Sequence, residues 1–129
     1  MVVVVREPDR LSIGDIASER RRLAEAAEQG KLRGDEVIGA TFVISNVGPA
    51  GVSRFQALLV PPAAAILAVG AVQERVRLTE GEVEPFSALA VCLSRYPRVV
   101  DDLDGARFLE TFTNLLEQPG QPLAGDEWT

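Results

Sequence analysis

The chain has 129 residues, 47% of them hydrophobic and 25% charged, with a net charge of −6. That length bounds one domain able to bury a core, and an acidic balance with thirteen scattered Lys and Arg argues against a nucleic-acid partner. With no histidine and a single cysteine, histidine-ligated metal sites, serine–histidine hydrolysis and an internal disulfide are excluded within the chain.

Val2 to Val5 is a β-branched run that reads as a buried strand ending at Glu7-Pro8-Asp9. Its short apolar start lacks a basic leader, and the apolar stretch Ala57–Val72 is broken by Pro61, Pro62 and Gly70. Neither a signal peptide nor a membrane span is expected, and the expectation is a soluble, cytoplasmic protein. Ser12 has the place of an N-cap, with Asp15 three residues on. Ile13, Ile16, Leu23, Ala24 and Ala27 follow at helical spacing until Gly30 stops the run, which predicts a helix over 13–29. The Arg20-Arg21-Arg22 run, flanked by Glu19, Glu25 and Glu28, reads as a solvated helix face.

Ala40 to Ser45 reads as a strand, Asn46–Gly51 as loop chemistry, and Arg54–Val60 as an extended segment before the Pro61-Pro62 corner. Ala65–Leu78 is predicted as one long strand, apolar at first and alternating later. After a turn at Glu80-Gly81-Glu82, Pro85–Arg95 is predicted to return antiparallel to it. Leu103, Ala106, Phe108, Leu109, Phe112, Leu115 and Leu116 form a helical stripe ending before Pro119-Gly120, and Gln121–Thr129 reads as a loosely held tail. The expected fold class is α+β, with a mixed, mostly antiparallel sheet and two main helices packed on one face over residues 1–120.

Residues 94–106 read Ser-Arg-Tyr-Pro-Arg-Val-Val-Asp-Asp-Leu-Asp-Gly-Ala. This tract resembles the His-Arg-Val-Val-Asp-Gly-Ala signature of the dihydrolipoamide acyltransferases of 2-oxo acid dehydrogenase complexes. Arg98-Val99-Val100-Asp101 stand in register, while Pro97 holds the histidine position and Asp102 that of the glycine. Two more blocks are similar: Gly39–Gly48 to the family's Thr-Phe-Thr-Ile-Ser-Asn strand, and Pro61–Gly70 to its Pro-Pro-Gln-Ala-Ala-Ile-Leu corner. Val3–Arg10, with the helix and the Gly30-Lys31-Leu32 that follow, matches the segment just upstream.

The resemblance covers the C-terminal half of the family's acyltransferase domain. The expectation is thus of a truncated chain, half of a chloramphenicol acetyltransferase-like fold, without lipoyl domain, peripheral-subunit-binding domain or N-terminal catalytic half. It implies a homotrimer with sites in channels between subunits, and acetyl-CoA or lipoamide as reactants in the family only; no cofactor is expected here.

Carried over by position, the family's general base is lost at Pro97, whose peptide nitrogen cannot exchange a proton. The motif aspartate remains as Asp101 and the oxyanion-stabilising serine as Ser45. Ser45 reads equally as an oxyanion donor or as a strand-end hydroxyl bonded to its own loop, beside Asn46 as a substrate contact. Tyr96 reads as a substrate contact or weak acid, or as an amphipathic residue at a strand end or interface. Asp101 is favoured for a structural role at the helix start, where it or Asp102 is the N-cap, over a catalytic acid, and Arg98 as the ion-pair partner of Asp101 over a substrate-binding cation. Cys92 reads as a buried structural thiol.

Three functions are open. The first is a biosynthetic protein that binds or converts an acyl or polyketide-like molecule between subunits, by transfer, elimination or cyclisation. The second is a non-catalytic trimeric scaffold. The third is the C-terminal half of a split acyltransferase completed by a partner chain that supplies the missing half. Neither a nucleic-acid nor a membrane partner is expected.

Overall fold

The computed structural model describes residues 2–118; the predicted tail lies outside them. The fold is α+β, with two long helices, a mixed three-stranded sheet and an antiparallel two-stranded ribbon. The described residues divide into two compact units, one of residues 2–40 and 108–118, the other of residues 41–107.

In the first unit, helix α1 spans Ile13–Glu28. It starts where the sequence places a cap: Ser12 Oγ accepts from the Asp15 amide at 3.1 Å and donates to its carboxylate at 2.6 Å. It ends in a left-handed Gly30 at φ 65°, with Lys31 N donating to Ala26 O at 2.8 Å and Gly30 N to Ala27 O at 3.2 Å. These two bonds satisfy carbonyls that a helix end leaves orphaned. Leu23 on this helix is fully buried.

Val2–Val5 does not form the expected strand. Its described pairing is one bond, Val4 N to Glu36 O at 2.8 Å, and no ladder partner runs alongside it among the described residues. Nor is the arginine run wholly solvated. Arg22 Nη2 donates to the buried Glu36 at 2.6 Å and to Glu19 at 2.7 Å, while the Arg33 amide donates to Glu36 at 2.8 Å. The Arg33 amide and the Arg22 guanidinium hold the Glu36 carboxyl below its ordinary range, and the hydrogen bond from Arg22 does the same for Glu19.

The second unit holds β1 (Phe42–Asn46), β2 (Ala65–Val69) and β5 (Val91–Arg95), with β2 in the middle. β1 runs parallel to β2 and β5 antiparallel, so Ser45, Ala68 and Cys92 share one level and Phe42, Ala65 and Arg95 another. A central strand is covered on both sides, which is why Ala65-Ile66-Leu67-Ala68 is an unbroken apolar run and is buried throughout.

The predicted long strands each split in two. β3 (Gln73–Thr79) and β4 (Glu82–Ala88) form a separate ribbon. The break has a backbone cause. At Gly70 the amide goes to Ala90 O (2.9 Å), and Ala71 N goes to Val52 O (2.8 Å), so the chain changes hydrogen-bonding partners before β3 begins. Gly70 is required there, because a Cβ would overlap the Ser53 carbonyl. Helix α2 (Asp102–Glu117) follows β5, starting in this unit and ending in the other. No helix among the described residues is long and apolar enough to cross a membrane.

Candidate functional site

The tract that follows β5 turns sharply. Tyr96 N donates to Ala64 O at 2.8 Å, which extends the β2–β5 pairing by one step. The Tyr96 carbonyl then accepts from Val99 N at 2.9 Å and Val100 N at 3.0 Å, closing a β-turn with Pro97 and Arg98 in its middle. Pro97 therefore holds the first central position, where its fixed φ suits the turn and its missing N–H costs no bond.

Asp101 sits where the turn meets α2. Its Oδ1 accepts from Asp104 N at 2.8 Å and its carbonyl from Gly105 N at 3.1 Å, so it is the N-cap of the helix. Asp102 and Asp104 place two more carboxylates in the first turn, where they complement the helix dipole.

Arg98 does not pair with Asp101. It is exposed and has no hydrogen bond or ion pair among the described residues, while Asp101 Oδ1 accepts from the Asp104 amide of the helix. The cation that organises this region is one that sequence reasoning missed. Arg95, at the end of β5, donates from Nη1 to Val100 O at 2.7 Å and forms an ion pair through Nη2 with Asp102. The signal was present as an arginine closing an otherwise uncharged strand.

Beside this turn lies an apolar hollow of about 720 Å³. Thr41, Leu59, Pro61, Pro62, Ala63 and Ala64 form one part of its lining, and Arg95, Tyr96 and Val99 the other. Its volume falls within the range of small-molecule sites, about 300–1,000 Å³. Of the predicted site residues, only Tyr96 lines it, and that side chain is exposed.

Ser45 and Asn46 lie elsewhere. Ser45 is level with Ala68 while Tyr96 is level with Ala64, four residues along β2, a separation of about 13 Å at the usual rise per residue. Asn46 holds its own loop, its Oδ1 accepting from Gly48 N at 2.9 Å. A loop contact of the kind that was one of the two readings of Ser45 is made by Asn46. Cys92 is half-buried on β5, opposite Ala68. No group of three His, Cys, Asp or Glu converges among the described residues.

Residues 1–124 match the family model described as 2-oxoacid dehydrogenases acyltransferase (catalytic domain). The chain is 40% identical over 119 residues to the mitochondrial dihydrolipoyllysine-residue acetyltransferase component of the pyruvate dehydrogenase complex of Dictyostelium discoideum, covering 90% of this chain and 19% of that protein. Its structure superposes on a probable dihydrolipoamide acetyltransferase from Listeria monocytogenes with TM-score 0.85 and 30% identity, over 92% of this chain and 50% of that one. The dihydrolipoamide acetyltransferase of Azotobacter vinelandii gives TM-score 0.80 and 33% identity over 90% of this chain and 48% of that one. In that enzyme the catalytic roles of a serine, a histidine 52 positions later and an asparagine four beyond it were investigated. The cubic core of the pyruvate dehydrogenase multienzyme complex gives the same score and identity over the same shares. The chain thus spans about half the length of these solved relatives and about a fifth of the curated one. It belongs to the 2-oxoacid dehydrogenase acyltransferase family, within whose catalytic domain its sequence and fold lie.

Proposed function

We propose that this chain has given up histidine-based lipoyl acyl transfer and instead holds an acyl-type small molecule in a site completed by neighbouring copies of itself. One observation carries the reading. Pro97 stands where the family has its base, between Tyr96 and Val99, two residues that line an apolar hollow. An apolar hollow lies beside this position while the family's proton acceptor is absent from it, and a positioned base contributes about 10²–10⁴-fold in rate.

The spacing supports the assignment of positions. Ser45 and Pro97 are 52 apart and Pro97 and Asp101 four apart, as are the serine, histidine and asparagine of the Azotobacter enzyme. Within one copy the positions of Ser45 and Pro97 lie at opposite ends of the sheet. A site that used both would draw them from two copies. A cubic core such as that of the related complex has threefold axes, and a homotrimer fits that symmetry.

A second reading, a non-catalytic trimeric scaffold, is favoured by the ribbon. The cross-strand register puts Val76, Leu78, Val83 and Pro85 on one face, and all four are exposed. A contiguous exposed apolar face marks an interaction surface.

Light scattering on the purified chain, together with an acetyl-CoA and dihydrolipoamide assay, tests both parts. The expected result is a trimer, or a multiple of three, with no transfer above the uncatalysed rate. A stable monomer overturns the assembly; turnover comparable to a histidine-bearing relative overturns the loss of transfer.

A further inference from the structure

The hollow's lining is mostly apolar. Among the described residues that line it, Arg95 is the charged one, and Tyr96 and Thr41 are the other polar ones. The Arg95 side chain is 22% exposed, a low value for a guanidinium. Room for its stem is made by Gly105 in the first turns of α2, where a Cβ would stand 3.3 Å from Arg95 Cδ.

A cation in such a wall needs an anion, and the one it has is weakly held. Asp102 pairs with it from a side chain that is 93% exposed. Ion pairs that one partner makes from open solvent contribute little. Of the five N–H donors of a guanidinium, the described structure occupies one with Val100 O and one with Asp102. The remaining donors have no partner among the described residues.

We infer that the hollow takes an amphipathic carboxylate: an apolar body against Leu59, Pro61, Pro62 and Val99, with its anionic head on Arg95. Asp102 acts as a tethered competitor that the ligand's carboxylate displaces or shares. Arginine suits this role because its planar fork meets a carboxylate through two parallel bonds. The inference rests on the reading that the hollow holds an acyl-type molecule, and adds the charge of its head group.

The probes are octanoate and octanol, equal in chain length and different in charge, titrated into the assembled protein and followed by amide NMR shifts. Octanoate is expected to shift Thr41, Ala63, Ala64, Tyr96 and Val99 and to bind about tenfold tighter than octanol. Arg95→Gln should erase that preference. Asp102→Asn, which alters an exposed side chain, should tighten octanoate by up to about 5-fold, because the internal competitor is removed.

Equal binding of octanoate and octanol overturns the anionic head and leaves the apolar hollow standing as a site. Binding of neither overturns the hollow itself. Octanoate binding that is unchanged or weaker in Asp102→Asn overturns the competitor role.

Discussion

Replacing Pro97 by histidine restores the family's letter and removes what the proline does for the fold. The turn at Tyr96–Val99 is closed by the Val99 and Val100 amides on one carbonyl, and the residue at 97 contributes no hydrogen bond to it. Pro97→His therefore breaks nothing in the folded state. It releases the unfolded chain, whose backbone at 97 the pyrrolidine ring had restricted, at a cost of about 0.4–1 kcal/mol. For a domain of this size that is a fall in Tm of roughly 1–6 °C. Pro97→Ala should fall equally, since the effect lies in the ring and not in the imidazole. Thermal melts by circular dichroism on the three proteins measure this directly. Either variant matching or exceeding the parent would refute the argument that Pro97 serves the turn. The same histidine variant can be assayed for acetyl transfer, which should remain absent. Asp102 replaces the motif glycine and pairs with Arg95, so the restored base meets altered surroundings. Recovery near the family's rate would show that the base alone had been lost.

Two further perturbations test the fold around the site. Gly70→Ala drives a Cβ into the Ser53 carbonyl, and backbone offers no flexible end to yield. A loss of about 1–3 kcal/mol or more is expected from urea midpoints, and an unchanged midpoint would contradict the close approach. Glu19 and Glu36 titrate below the ordinary 4.5 because Arg22 and, for Glu36, the Arg33 amide favour their charged forms. Their stabilisation is complete above that value and is lost as the pH falls from 4.5 through their lowered values. Denaturant curves from neutral pH downward should therefore show a weaker acid dependence in Glu36→Gln than in the parent, and parallel curves would refute the coupling.

The features readable from sequence were those in which local chemistry and packing agree. Ser12 and Gly30 bound α1 to within a residue because cap and stop are side-chain and backbone properties of those positions themselves. The four buried residues of β2 announced a covered strand by being apolar without alternation. What was misjudged depends on partners distant in the chain. Val2–Val5 has strand composition, but a strand exists only where a ladder does. Ala65–Leu78 looked continuous because its hydrophobicity is; the break at Gly70 comes from carbonyls of Val52 and Ala90 that no local window contains. At the site, Tyr96 and the capping role of Asp101 were legible. Arg98 was credited with an ion pair because it is three residues from an acid, and that acid proved to be engaged with the helix. The role of Arg95 was not legible because its partners, Val100 and Asp102, reach it only across the turn that Tyr96 and Val99 close.

The ribbon of β3 and β4 has a practical consequence. Two paired strands are marginal in water without a third strand or a packed face, and these present Val76, Leu78, Val83 and Pro85 to solvent in a single copy. In the homotrimer proposed above, with this face covered, their amides should exchange with deuterium more slowly than in a single copy. A dilution series should then quicken exchange in this hairpin while leaving the buried β2 amides as an internal standard. The hairpin would thus report the proposed association without any added ligand.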